Sequence, residues 1–231
     1  MAGKLAPWFF GAAAVLTLIG LYIGLIAAPT DFQQGEAYRI IYIHVPAAWM
    51  SMFIYVVMAV YGVLFLSLNT RLSAMMMSAL APTGAMFTFV ALWTGALWGR
   101  PTWGAYWVWD ARLTSELILL FLYLGFMALQ AAIEDTRRAD KAGALLAIVG
   151  VVNVPIIYFS VKWWNTLHQG ASVSLTASPK MAKIMLSGMA IMALAAWMYS
   201  FGAALLRVRS IILEREAGAE WLRRHLDRKS P

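Results

Sequence analysis

The sequence predicts an all-α integral membrane protein, a six-helix transmembrane bundle with both termini cytoplasmic and three outer loops. Three observations carry that prediction. Of 231 residues, 62% are apolar and only 13% charged, and the mean hydropathy of +0.71 is far above that of soluble globular domains. Six apolar stretches each approach the ~20 residues that a helix needs to cross hydrocarbon. The 18 Lys and Arg are shared unevenly between the two ends of these stretches. Such a composition excludes a water-soluble enzyme and leaves no room for a large soluble domain.

The first stretch, Pro7 to Ala28, follows the single charge of Lys4 and is longer than the apolar core of a signal peptide, so it reads as a retained span. The second, Ala47 to Leu68, closes at the turn-forming Asn69. The third, Leu72 to Leu97, contains Pro82 and Gly84, which neighbouring helices tolerate in a membrane. The fourth, Leu113 to Ile133, opens after Asp110, a residue type suited to capping a helix start. The fifth, Ala142 to Val161, includes Pro155, and the sixth, Ile184 to Leu206, ends at Arg207. Beyond it, Arg207, Arg209, Leu213 and Glu216 recur at helical spacings, which predicts a short cytoplasmic helix running on from the last span. The chain therefore divides into a membrane domain, 1–206, and a basic tail, 207–231.

Six crossings put both termini on one side together with the short connectors near Arg71 and Arg137. That side carries 12 Lys and Arg, against six on the other: Arg39, Arg100, Arg112, Lys162, Lys180 and Lys183. Positive charge resists translocation, so the richer side is expected in the cytoplasm. The net charge of +7 then reports topology and contact with the lipid bilayer, with no nucleic acid implied. The absence of cysteine excludes a disulfide framework, a thiolate metal site and covalent Cys-x-x-Cys-His heme attachment in this chain. The outer loops are the longer ones and hold most of the polar and aromatic chemistry.

The densest feature is the outer segment 98–112. Trp98, Trp103, Trp107 and Trp109 are four of the 11 Trp, and they are accompanied by Gly104 and the acidic stop Asp110. An interfacial aromatic belt explains one or two indoles. Four, with paired glycines, also make a broad flat apolar surface onto which a planar conjugated macrocycle could be laid. Of three histidines, His225 lies among arginines in the tail, where a solvated role suffices. His44 and His168 sit in two other outer loops beside indoles. Each alone reads as a hydrogen-bonded structural residue. As a pair they match the two axial positions that an iron porphyrin leaves open. Glu116, about one turn into the fourth span, reads as an ordinary i,i+4 partner of Arg112, and the six outer cations are all candidates for porphyrin propionates.

Trp103-Gly104-Ala105-Tyr106-Trp107-Val108-Trp109-Asp110 matches, at every fixed position, the signature Trp-Gly-x-x-Trp-x-Trp-Asp of the heme-handling membrane proteins. Together with the six spans and one histidine in each flanking outer loop, the chain most resembles the CcmC family of system I cytochrome c maturation, over essentially its whole length. The resemblance implies bis-histidine ligation of a non-covalent b-type heme by His44 and His168, and a platform for heme and partner made by Trp98, Trp103, Gly104, Trp107, Trp109 and Asp110. It further implies delivery of heme at the outer face of the inner membrane to the chaperone CcmE, with the ATPase CcmA, the membrane subunit CcmB and the small protein CcmD as partners. No Gly-x-x-x-x-Gly-Lys motif occurs, so ATP chemistry falls to a partner. Two alternatives stay open at this point. One is a transporter subunit that moves heme or another solute; the other is a heme lyase acting on apocytochrome thiols, although no obvious acid, base or nucleophile is present for it.

Overall fold

The computed structural model describes residues 2–164, 166–168 and 181–221. The helices are α1 (Ala2–Tyr22), α2 (Ile41–Leu68), α3 (Arg71–Trp103), α4 (Ala111–Ala132), α5 (Thr136–Gly150), α6 (Asn153–Trp163) and α7 (Lys183–Arg215). A π-helical turn, Ile23–Ala27, extends α1, and a 3-10 turn, Glu36–Ile40, leads into α2. With these extensions, and with α5 and α6 taken as one, six helices are long and apolar enough to cross a membrane. The expected six-helix bundle is therefore present.

The spans differ from the sequence reading at their ends. His44 was expected in an outer loop but lies in the first turns of α2. Trp98 and Trp103, expected in the same loop as the rest of the Trp-rich segment, are on α3, and only Gly104 to Asp110 is non-helical before α4. Hydropathy falls where interfacial side chains begin, but the backbone keeps its hydrogen bonds until a residue forces it out. Gly104 does so, with φ at 79° in the left-handed region that glycine reaches without strain, and its N–H caps the Arg100 carbonyl at 3.1 Å. The fifth span is interrupted at Val151–Val152. Pro155 then sits in the first turn of α6, where a missing N–H costs no helical bond.

Asp110 and Asp135 cap α4 and α5 by accepting the N–H of Leu113 (2.8 Å) and of Arg138 (2.7 Å). At the bundle centre Tyr55, Tyr123, Phe126, Met58, Met77 and Leu119 are almost wholly buried. Glycines set how closely helices approach there. The Tyr123 ring occupies the place that a side chain at Gly84 would fill, and a Cβ at Gly62 would stand 3.1 Å from the Ala144 carbonyl. α2 and α3 form the central hairpin, α1 runs along α7, and α4 joins α3 to the α5–α6 span.

The three longer connections share one end of the bundle, called here the outer end. At the inner end Arg215 makes a forked pair with the buried Asp140 (2.8 and 3.0 Å), tying α7 to α5. Breaking such a pair from one side strands the other charge, at a cost of about 3 kcal/mol. Asp140→Ala should lower the thermal midpoint of the detergent-solubilised protein more than Glu216→Ala, which removes the exposed Arg71 contact. α7 continues unbroken past residue 206 to Arg215. Residues 222–231, with His225, lie outside the described residues.

Candidate functional site

At the outer end the first connection is held by a set of hydrogen bonds. Asp31 Oδ1 accepts from the backbone of Gln33 (2.9 Å) and Gln34 (2.8 Å), and Tyr38 donates to the Pro29 carbonyl (2.7 Å). Arg39 is bound to Glu36 and donates to the Gly24 carbonyl at 2.6 Å, closing the exposed end of the π turn. Gln34 then reaches α3, accepting the Trp98 indole N–H at 2.7 Å. This contact ties the loop before α2 to the first of the four indoles.

Behind Trp98 a cleft opens between α2, α3 and α4. His44, Trp98, Trp103, Trp107 and His168 line it, with Ala48, Ala91, Leu92, Gly95 and Leu113 as the apolar floor and sides. The two imidazole centroids are 6.2 Å apart, with ring planes inclined by 31°. Trp98 meets His44 edge-on at 5.6 Å and Trp103 lies 6.1 Å from His168. Residues 44 and 168, separated by most of the chain, thus face each other across one cavity.

The remaining expected platform residues are placed differently. Trp107 lines the cleft with its indole N–H buried and without a hydrogen-bond partner among the described residues. Trp109 packs on it at 5.3 Å but is 78% exposed, outside the cleft. Gly104 ends α3, and Asp110 uses one carboxylate oxygen to cap α4 while the other is buried with no partner among the described residues. The signature therefore contributes both a wall and an outward-facing surface.

Of the outer cations among the described residues, Arg112 lines the cleft. Arg100 is turned back to the Gly104 carbonyl, Lys162 lies over Phe159, and Lys180 is outside the described residues. The expected Arg112–Glu116 pair is not formed. Glu116 is buried and accepts from Ser51 of α2 at 2.7 Å, whereas Arg112 donates to the Ile157 carbonyl of α6 at 3.3 Å. Neighbouring helices draw the two side chains apart. Both border the cleft, which places a carboxyl and a guanidinium beside Leu113 on its α4 side.

Thr94 and Gly95, which the sequence reading passed over, also belong to the site. Thr94 contacts the His44 ring at 3.1 Å, and Gly95 supplies the space against which that ring lies. Within an apolar stretch, neither carries a signal that distinguishes it from packing residues.

Among the described residues no cluster of three or more His, Asp or Glu could hold a metal ion. Two imidazoles suffice only for a metal that brings its other ligands with it. A metalloporphyrin does so, and flat indole walls, two imidazoles and a cation are the residue types that could hold one.

The chain is similar to known proteins over most of its length. The family model described as heme exporter protein C, CcmC, matches residues 1–223. A heme exporter protein C of Escherichia coli is 46% identical over 224 residues, covering 96% of this chain and 89% of its own. That of Haemophilus influenzae is 45% identical over 223 residues, covering 96% and 91%. A ccmC-like mitochondrial protein of cytochrome c biosynthesis from Marchantia polymorpha is 50% identical over 171 residues, covering 74% and 72%.

Proposed function

The chain belongs to the heme exporter protein C family, and from that premise we propose that it binds heme as cargo in the outer cleft and hands it to a heme chaperone during cytochrome c maturation. The observation that carries the reading is the separation of the two histidines. A metal–imidazole bond of about 2 Å and a ring centre about 1 Å behind its nitrogen put two axial imidazoles about 6 Å apart. His44 and His168 are 6.2 Å apart before any iron is considered. They would hold the iron from opposite faces, with Trp98, Trp103 and Trp107 against the macrocycle and Arg112 as the cation for a propionate.

The bound heme supplies an iron with two open axial sites; this chain supplies ligands, walls and orientation. Trp109 and Tyr106, both exposed beside the cleft, would present the loaded edge to the partner. The partner is proposed to be CcmE, with CcmA, CcmB and CcmD completing an ABC-type complex in the bacterial inner membrane, the cleft facing the periplasm. Handling a cargo, not a covalent step on apocytochrome, is the role that a cleft of ligands and indoles supports. Transport through the bundle receives less support, because Glu116 and Arg112 both lie at the outer cleft and not along a path across it.

The test is an absorbance titration of the purified protein with hemin. Saturation at one hemin per chain with a six-coordinate spectrum is expected. Arg112→Ala should weaken that binding by about tenfold, the lower end of the range for loss of a hydrogen bond to a charged group. Saturation at several hemins per chain, with no dependence on His44 or His168, would mean adsorption to the membrane-facing surface.

A further inference from the structure

The environment of His44 determines which of its nitrogens is free. Thr94 Oγ1 lies 2.6 Å from the Val90 carbonyl and 3.3 Å from that of Ala91, the usual back-bonding of a helical threonine to its own preceding turn. A carbonyl oxygen can only accept, so the single hydroxyl proton of Thr94 is committed there. The same oxygen is 3.1 Å from His44 Nδ1. A hydrogen bond between them then needs its proton on the imidazole. The reverse arrangement would leave two oxygens 2.6 Å apart with no proton between them.

α3 also holds the ring in place. A Cβ at Gly95 would stand 3.0 Å from His44 Cε1, so the absence of a side chain lets the imidazole sit against the helix. One turn on, Trp98 packs edge-on at 5.6 Å. Thr94 and Gly95 thus hold the ring along the edge that bears Nδ1, and Trp98 packs against the same ring.

We propose that Thr94 is a positioning residue that holds His44 as the Nδ1–H tautomer, so that Nε2 carries the lone pair that binds heme iron. This rests on the reading that His44 is an axial ligand. An imidazole with a fixed Nδ1–H donor is oriented before the cargo arrives and is a more basic ligand once bound. Thr94 touches neither iron nor porphyrin in this role; it acts through His44.

The test compares Thr94→Val, which keeps the shape and removes the acceptor, with Thr94→Ser, which keeps the hydroxyl, in purified full-length protein. The probes are hemin and metal-free protoporphyrin IX. Thr94→Val should release hemin about 10- to 100-fold more readily, the range for loss of an outer-shell partner, and raise the reduction potential of the bound iron. Binding of metal-free protoporphyrin should not change, because it has no iron bond to weaken. Thr94→Ser should restore both hemin properties. If Thr94→Val inserts poorly, Thr94→Ala removes the same acceptor with less bulk and must give the same split.

Unaltered hemin release and potential in these variants would overturn the proposal, as would equal loss of both porphyrins, the mark of a merely structural residue. His44→Ala separates the premises. If it too leaves hemin release and the spectrum unchanged, the ligation reading fails; if it abolishes six-coordination while Thr94→Val changes nothing, only the role of Thr94 fails.

Discussion

Replacing His44 or His168 by Ala should convert the hemin-loaded protein from six- to five-coordinate iron and weaken hemin retention by at least about a hundredfold, more than the 10- to 100-fold expected from a residue that only supports a ligand. The two variants should resemble each other, because the cleft places one imidazole on each side of a single iron. Folding should be little affected, since both rings are only half-buried at the outer end and neither belongs to the central cluster around Tyr55, Tyr123 and Phe126. Absorption spectra and hemin off-rates of each variant, compared with membrane-inserted protein amounts, check this. The double variant should be no worse in insertion than either single one.

The second large effect should divide the Trp-rich signature in two. Trp107 lines the cleft, whereas Trp109, 78% exposed, does not. Trp107→Ala removes a wall of the macrocycle site and should cost about tenfold in hemin binding, in line with up to about 1.5 kcal/mol for an aromatic pair beyond its buried area. Trp109→Ala should leave hemin binding nearly intact and instead reduce transfer to the chaperone, measured as chaperone heme per inserted protein. An aromatic belt predicts another pattern. Both variants would then lower membrane insertion alone, and Phe or Tyr at either position would restore function.

The bundle itself was legible because hydrocarbon demands long apolar runs, and each of the six was present in the sequence. The helix ends were less so. Hydropathy drops at Trp98 and at His44, yet a helix stops only where the backbone is forced out, as at Gly104, so His44, Trp98 and Trp103 proved to be helical. The capping of α4 by Asp110 was legible because it is local. The Glu116–Ser51 contact was not, since its partners are 65 residues apart. The same reason hides Thr94, whose function depends on a ring 50 residues earlier in the chain. The pairing of His44 with His168 was legible from their shared outer side and from the signature, whereas the separation of Trp107 from Trp109 into wall and outer surface is a product of packing that no spacing along the chain reports.

The proposed site holds one heme iron between His44 and His168. Electron paramagnetic resonance of the purified protein, loaded with one equivalent of hemin at neutral pH, tests it directly. A rhombic low-spin ferric signal of bis-imidazole type is expected, lost in both His44→Ala and His168→Ala. An axial high-spin signal in the unmodified protein, or a low-spin signal that persists in either variant, would contradict it.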